Sequence, residues 1–395
     1  MKSAYRLDML ITALRSALPV GLDRAALHEP CISGNEWSYV KECLDTGWVS
    51  SVGSYVDRFE ADLASFTGVK RAVAVVNGTA ALHICLKLVG VGYDDEVLVP
   101  TLTFVATANA VTYCGAIPHF IDSDSGTLGI DPSRLDSYLT EIADLRSSGC
   151  YNKFTGRRIA AVVPMHTFGH PVDMDLLSGV CSRFGIPVVE DAAESLGSYY
   201  KGRHTGNMGR VAALSFNGNK IVTTGGGGAI LTNDEKLGDL AKHLTTTARV
   251  SHGWELTHDM VGYNYRLPNI NAAVGCAQLE MLPEFLRKKR ALALRYQDAF
   301  SSVEGVRVIA EPAEAKSNYW LNTLLLDEEL ADIKDQLVER TNREGLQTRP
   351  AWTLMHRLPM YRTAPRMDLN VAESLSARLV NLPSSVILGE DDALV

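Results

Sequence analysis

The sequence predicts an α/β protein with two parts, a large domain whose mainly parallel sheet lies between helices and a smaller α+β domain towards the C-terminus. Three observations lead there. From about residue 70, short β-branched, apolar runs alternate with helical stretches, the pattern of strands buried on both faces by crossover helices. Beyond about residue 300 the order changes to strand, strand, helix, strand. The 395 residues also exceed what one hydrophobic core ordinarily serves. The expected division is 1–27 as an N-terminal extension, 28–283 as the large domain and 284–395 as the small one.

Taken in order, the expected strands are 71–76, 96–100, 117–122, 159–165, 186–191, 211–216 and 229–233, each a run rich in Val, Ile, Ala or Phe. A helix is expected over 101–111, with Phe104 in its first turn. The next, 131–143, opens on Asp131-Pro132, which places a capping acid before a proline at the first helical position. Another, 173–184, starts on Asp173 and closes at Gly185, and a further one runs from about 283 to 300. Between 143 and 158 a polar stretch with Ser147-Ser148-Gly149 and Thr155-Gly156 reads as a long surface loop, a candidate for the neighbourhood of a substrate.

Composition bounds the function. With 46% hydrophobic and 21% charged residues the chain is that of an ordinary globular protein. A net charge of -8 argues against a sequence-independent grip on nucleic acid. The one dense basic run, Arg287-Lys288-Lys289-Arg290, reads as a solvated helix face. Seven scattered cysteines form no Cys-x-x-Cys pair and read as free thiols of a reducing cytoplasm. Asp8 and Arg15 interrupt the first apolar stretch and no later run has the length of a membrane span, so a cytoplasmic protein without a membrane partner is expected.

Four segments carry chemistry. Asn77-Gly78-Thr79-Ala80 follows a strand and opens a helix, so backbone N–H groups and the Thr79 hydroxyl would converge on an anion such as a phosphate; the alternative is a turn with Thr79 as helix cap. Val188-Val189-Glu190-Asp191 puts an acid at the carboxyl end of an apolar strand, where open α/β sheets bind ligands. There Asp191 needs a cationic partner, and a pyridinium nitrogen would serve; a helix cap or a metal ligand is the alternative. His166 and His170 are separated by Thr-Phe-Gly and followed by Pro171, which is not a helical ligand pair, and no metal is expected. In Ser215-Phe216-Asn217-Gly218-Asn219-Lys220 a lysine stands between two apolar strands, where burial favours the neutral amine that forms a Schiff base with an aldehyde; the alternative is an exposed loop lysine. Gly225–Gly228 is no dinucleotide fingerprint, because Ile230 replaces the third glycine and a strand follows. Phe104 either stacks on a flat ring or is core.

Together these segments resemble the DegT/DnrJ/EryC1/StrS family of nucleotide-sugar aminotransferases. The likeness extends over nearly the whole chain from about residue 28, through Gly47-Trp48-Val49-Ser50, Phe59-Glu60, Asp95-Glu96-Val97, Gly262-Tyr263-Asn264-Tyr265-Arg266 and Asn381-Leu382-Pro383. It implies the fold-type I architecture, with residues 28–283 holding pyridoxal 5'-phosphate. On that resemblance Lys220 carries the cofactor and moves the proton, Asp191 holds the pyridine nitrogen and Phe104 stacks on the ring. Gly78, Thr79 and Ser215 hold the phosphate, joined by Asn264 of the partner subunit in a homodimer with shared sites.

Two positions depart from the family pattern. Glu194 stands near the cofactor's phenolic oxygen where many members have Gln or His, and it is either protonated or turned to the substrate. Gly226 replaces a common Glu. The segment 215–225 resembles the perosamine-synthase branch. The N-terminal extension, 143–158 and Pro164–Pro171 are more like relatives acting on UDP-linked N-acetyl sugars for legionaminic-type acids. The resemblance therefore implies transfer of an amino group from glutamate to C4 of a nucleotide-linked 4-keto-6-deoxy sugar. The alternatives are C3 amination of a 3-keto sugar, or a non-catalytic binding protein on the same fold. His166, Trp352 and His356 are the candidate sugar or nucleotide contacts.

Overall fold

The computed structural model describes residues 2–252 and 254–390. A four-stranded sheet, in the order Arg71–Val75, Gly228–Thr232, Val211–Ser215 and Val189–Asp191, meets a three-stranded one formed by Ile159–Val162, Glu96–Pro100 and Ile117–Ile121. Parallel bridges from Val162 to Val188 and from Met165 to Asp191 join them into one sheet. All its neighbours run parallel except around Gly228–Thr232, which is antiparallel to both strands beside it. The expected mainly parallel sheet is therefore present, with one reversed strand. That strand passes tightly under the 77–78 turn. A Cβ on Gly228 would lie 2.5 Å from the carbonyl carbon of Asn77, so no larger residue fits.

Side chains alternate between the faces with the period of two that strands impose. Val73, Val75, Val211, Ala213 and Ile230 pack against helices on one side, while Ala72, Ala74, Ala212, Leu214, Ala229 and Leu231 pack on the other. The helices follow their predicted signals. Asp131 accepts from the N–H groups of Ser133 and Arg134 at the head of Pro132–Ile142, and Asp173 caps Met174–Phe184, which Gly185 ends in a left-handed turn.

Three expectations need correction. The helix expected over 101–111 is Val105–Tyr113, and Phe104 is the extended residue that precedes it. Its first residues are held sideways instead, with the Thr103 and Thr107 hydroxyls 2.8 Å apart and Thr101 Oγ1 2.7 Å from His356 Nδ1. The polar 143–158 stretch is a β-hairpin of Ala143–Arg146 and Gly149–Asn152, not a loop. Asn152 Nδ2 (2.9 Å) and Thr155 Oγ1 (2.6 Å) donate to the buried Glu96 carboxylate, which pins the hairpin at the starting end of the parallel strands, away from their carboxyl ends. The basic run is not a fully solvated face either. Lys289 is wholly buried, and its Nζ donates to the carbonyls of Trp320 (2.8 Å) and Ser384, because the small domain folds over that side of the helix.

The expected boundary at 283/284 falls inside one continuous helix, Asn269–Phe300, which contains Pro283. The core changes hands along it. Leu282 and Phe285 pack in the large domain, whereas Leu292, Tyr296 and Phe300 belong to a separate cluster. That second cluster takes in Leu7, Leu10, Ile11 and Leu14 of the helix Lys2–Ser16, so the N-terminal extension is part of the small domain's core. The small domain's antiparallel sheet is ordered Val306–Val308, Asn322–Leu326, Leu379–Leu382 and Arg349–Pro350. All seven cysteines are free.

Candidate active site

A cavity of about 560 Å³ opens at the carboxyl ends of the parallel strands, between the two domains. Gly78, Thr79, Phe104, Asp191, Glu194, Ser215, Lys220 and Trp352 line it, so eight of the residues picked from the sequence converge on one space. Such convergence at strand ends is where ligands bind in open α/β sheets.

One end is the head of the helix Gly78–Leu88. Asn77, not Thr79, is its cap, accepting from the Ala80 N–H at 2.8 Å. The other first-turn N–H groups have no intrahelical acceptor and carry the helix's positive end to the cavity. Gly78 must be glycine, since a Cβ there would stand 2.8 Å from the Ser215 Cβ. The result is a small, electropositive cradle with two hydroxyls, suited to a phosphate.

At the centre, Asp191 is 2% exposed. It receives the Thr107 hydroxyl at 2.7 Å and the Ala193 N–H at 3.2 Å. Burial nevertheless pushes its carboxyl above the usual carboxylate range, the signature of an anion short of a cationic neighbour. Behind it, His166 and Glu190 form a buried pair at 3.0 Å, and Glu190 also accepts from the backbone N–H groups of Gly206 and Met208, both at 2.7 Å.

Lys220 sits in a tight turn, its N–H on the Asn217 carbonyl at 3.0 Å. Its Nζ lies 3.2 Å from Glu194 Oε1 and 3.9 Å above the Trp320 ring. Trp320 is itself fixed by a 2.7 Å bond from Nε1 to the Asn219 carbonyl. Glu194 is thus turned to the lysine, and its other oxygen accepts the Phe168 N–H at 2.9 Å. Burial raises the Glu194 carboxyl to about 7, outweighing the lowering by Lys220. The departure from Gln or His thus puts a proton that exchanges near neutrality beside the lysine. Phe104 is 49% exposed and faces Trp352 at 6.3 Å between ring centroids, with Trp352 resting 4.8 Å from Phe168.

Two expected residues, His166 and His356, are not brought into this space. His166 is fully buried, with Nε2 on Glu190 and Nδ1 accepting the Val172 N–H at 3.2 Å, so no ring nitrogen is left for a sugar. His356 is likewise occupied, by Thr101 and by Glu373 at 2.8 Å. Asn264 is exposed, paired through its backbone with Thr246, and is not among the lining residues of its own chain's cavity. Residues that sequence reasoning passed over also line the cavity: His28, Trp320, Gln347, Arg349 and Asn381. Of these, only Asn381 lay inside a motif noticed beforehand, and the others carry no periodic or spacing signal.

Residues 30–394 match the DegT/DnrJ/EryC1/StrS aminotransferase family. The chain belongs to that family. It is a pyridoxal phosphate-dependent sugar aminotransferase with the fold-type I architecture. The GDP-perosamine synthase of Caulobacter vibrioides is 38% identical over 94% of this chain and 96% of its own. Among solved structures, the aminotransferase TlmJ of Streptoalloteichus hindustanus matches with a TM-score of 0.83 at 30% identity, covering 93% of this chain and 95% of its own. Helicobacter pylori PseC, an aminotransferase involved in the biosynthesis of pseudoaminic acid, matches with a TM-score of 0.81 at 25% identity, over 91% and 93% of the two chains.

The residues of this aminotransferase fit the cofactor. The glycine-walled cradle suits its phosphate, the acid short of a cation suits its pyridine nitrogen, and the half-exposed Phe104 offers a face for its ring. When bound, pyridoxal phosphate supplies an electron sink that lets an amino group pass between two carbonyl compounds.

Proposed function

We propose that this aminotransferase moves an amino group from glutamate to C4 of a nucleotide-linked 4-keto-6-deoxy sugar, for surface polysaccharide or a nonulosonic acid. The observation that carries the reading is the cavity itself. Its lining includes Arg349, a guanidinium for an anion such as a diphosphate or a donor carboxylate, and Trp352, an aromatic for a sugar or base face. The similarity to GDP-perosamine synthases at 34–38% identity supports an acceptor that is a nucleotide sugar. The C4 position rests on the likeness of residues 215–225 to that branch.

In this reading Lys220 binds the cofactor and holds and returns the proton, Asp191 keeps the pyridine nitrogen protonated, and Gly78, Thr79 and Ser215 grip the phosphate. Glu194 holds the proton that Lys220 exchanges. The enzyme works as a cytoplasmic homodimer in which Asn264 of the partner subunit completes the phosphate site. The test is to supply glutamate with UDP- and GDP-linked 4-keto-6-deoxy sugars and their 3-keto analogues, and to locate the new amine by NMR. An amine at C3 overturns the C4 assignment, and no transfer to any nucleotide sugar overturns the substrate class.

A further inference from the structure

One wall of the cavity comes from the N-terminal extension. Segment 25–29 is laced to the small domain. The Ala25 N–H donates to the Gly345 carbonyl (3.0 Å), the Gln347 N–H to the Ala25 carbonyl (2.8 Å), and the Ser384 N–H to the Leu27 carbonyl (2.7 Å). The Leu27 N–H donates to Gln347 Oε1 at 3.2 Å, and the Glu29 N–H to Ser385 Oγ at 2.9 Å. These bonds on both sides of His28 fix its backbone and set it in the lining, its ring 6.4 Å from that of Trp320, the tryptophan under Lys220.

His28 as a whole is half-buried, yet both its ring nitrogens are shut off from bulk water. Among the described residues neither has a hydrogen-bond partner. Leaving a buried donor and a buried acceptor unpaired is costly, and a turn of this cavity-lining imidazole towards a ligand's polar group would relieve that cost. Burial, helped by the nearby Lys289 and Lys220, drives the imidazole well below its ordinary value and keeps it neutral. A neutral imidazole offers one donor and one acceptor and no charge, and an anion, which only accepts, would engage just one of its two nitrogens. Its complement is an uncharged group that both donates and accepts.

Two amides stand in the same wall. Gln347 spends its oxygen on Leu27, and Asn381 spends Oδ1 on the Thr323 hydroxyl at 2.9 Å. Each keeps its NH2 group as the part available to a ligand.

We propose that His28 is a specificity-determining residue of the acceptor half-reaction, hydrogen-bonding an uncharged polar substituent, a hydroxyl or an acetamido group, on the ring of the nucleotide-linked sugar. The inference rests on the sugar-acceptor reading above and makes segment 25–29 part of the active site.

The two half-reactions separate this role from a structural one. In the holoenzyme, the glutamate half-reaction is followed by the bound cofactor's visible absorbance, and the sugar half-reaction by product formation. His28→Phe keeps a ring and removes both nitrogens. It is expected to lower kcat/KM for the nucleotide-linked keto-sugar about ten- to a hundredfold, chiefly through KM, the scale of a site robbed of buried hydrogen bonds. The glutamate half-reaction should stay within about twofold, and His28→Gln, which restores a donor and an acceptor, should recover most of the loss. Acceptors with an acetamido group, a hydroxyl or only hydrogen at one ring position identify the substituent, because the effect of His28→Phe disappears for the sugar lacking it. If His28→Phe fails to hold cofactor, the smaller His28→Ala takes its place. Unchanged sugar kinetics in a variant whose wild type is active, or equal losses in both half-reactions, overturn this proposal alone. A wild type that aminates no nucleotide-linked keto-sugar overturns the functional reading and this proposal with it.

Discussion

Removing the Lys220 ammonium should push the Glu194 carboxyl further up. In the cofactor-free protein that carboxyl stands at about 7 instead of 4.5, so burial biases it against charge by about 3 kcal/mol net, at 1.36 kcal/mol per pH unit. The net figure already includes the attraction of Lys220, whose Nζ is 3.2 Å away. Coulomb's law at an effective dielectric of ~20 puts that attraction near about 5 kcal/mol as an upper figure, and even a fifth of it equals about 0.7 pH unit. Lys220→Met should therefore move the Glu194 titration up by at least about 0.7 unit. The assay is the protonated carboxyl stretch in infrared difference spectra, taken from pH 5 to 9 and assigned by its loss in Glu194→Gln. The sign for stability follows. With the folded value raised, the protein is favoured while Glu194 is protonated in both states. That advantage is lost as pH rises from the unfolded value through about 7, so Glu194→Gln should gain on the wild type across that interval. A Glu194 carboxyl already ionised at pH 5.5, or one that does not move in Lys220→Met, would refute the reasoning.

Lys220→Ala should abolish transamination, and retained turnover would remove the lysine from the mechanism. Asp191→Asn should still bind cofactor but lose at least about a hundredfold in kcat, since an amide cannot hold a pyridinium proton; near-normal rates would leave Asp191 a purely structural group. Gly78→Ala, whose new Cβ would sit 2.8 Å from the Ser215 Cβ, should weaken cofactor affinity about tenfold or more with little loss of secondary structure by circular dichroism. Mixing Lys220→Ala chains with chains altered at Asn264 should restore part of the activity through hybrid dimers, and a monomer in sedimentation at working concentrations would count against shared sites.

What was legible in the sequence is what local chemistry encodes. The strands announced themselves because both sheet faces are buried, and the Asp-capped helices because their capping signals are local. The cradle, the strand-end acid and the lysine were visible as short motifs. Misreadings came where distant chain decides the outcome. Lys289 looks solvated in a run of four basic residues until segments near 320 and 384 close over it. The 143–158 stretch looks like a loop because the carboxylate that anchors it, Glu96, lies some fifty residues earlier. His166 looked like a ligand-facing histidine, and only its pairing with Glu190 shows that both ring nitrogens are spent inside the protein.

Lys289 also explains how the small domain reaches the chemistry. Its ammonium or amine is held by two main-chain carbonyls, one of them that of Trp320. Burial drives it well below the ordinary lysine range, and its hydrogen bonds to the two main-chain carbonyls fix where it sits. Trp320 carries that constraint onward, through its 2.7 Å bond to the Asn219 carbonyl and its ring beneath the Lys220 Nζ. If Lys220 carries the cofactor as proposed, it needs a resting place within reach when it is not bound to it, and the Trp320 face with the Glu194 carboxyl group would provide one. Because Trp320 belongs to the small domain and Lys220 to the large one, that resting place is built by both domains together. Segment 25–29, which bears His28, is tied to the same small domain. Packing of the small domain on the large one therefore brings the lysine's environment and the segment that bears His28 into one cavity.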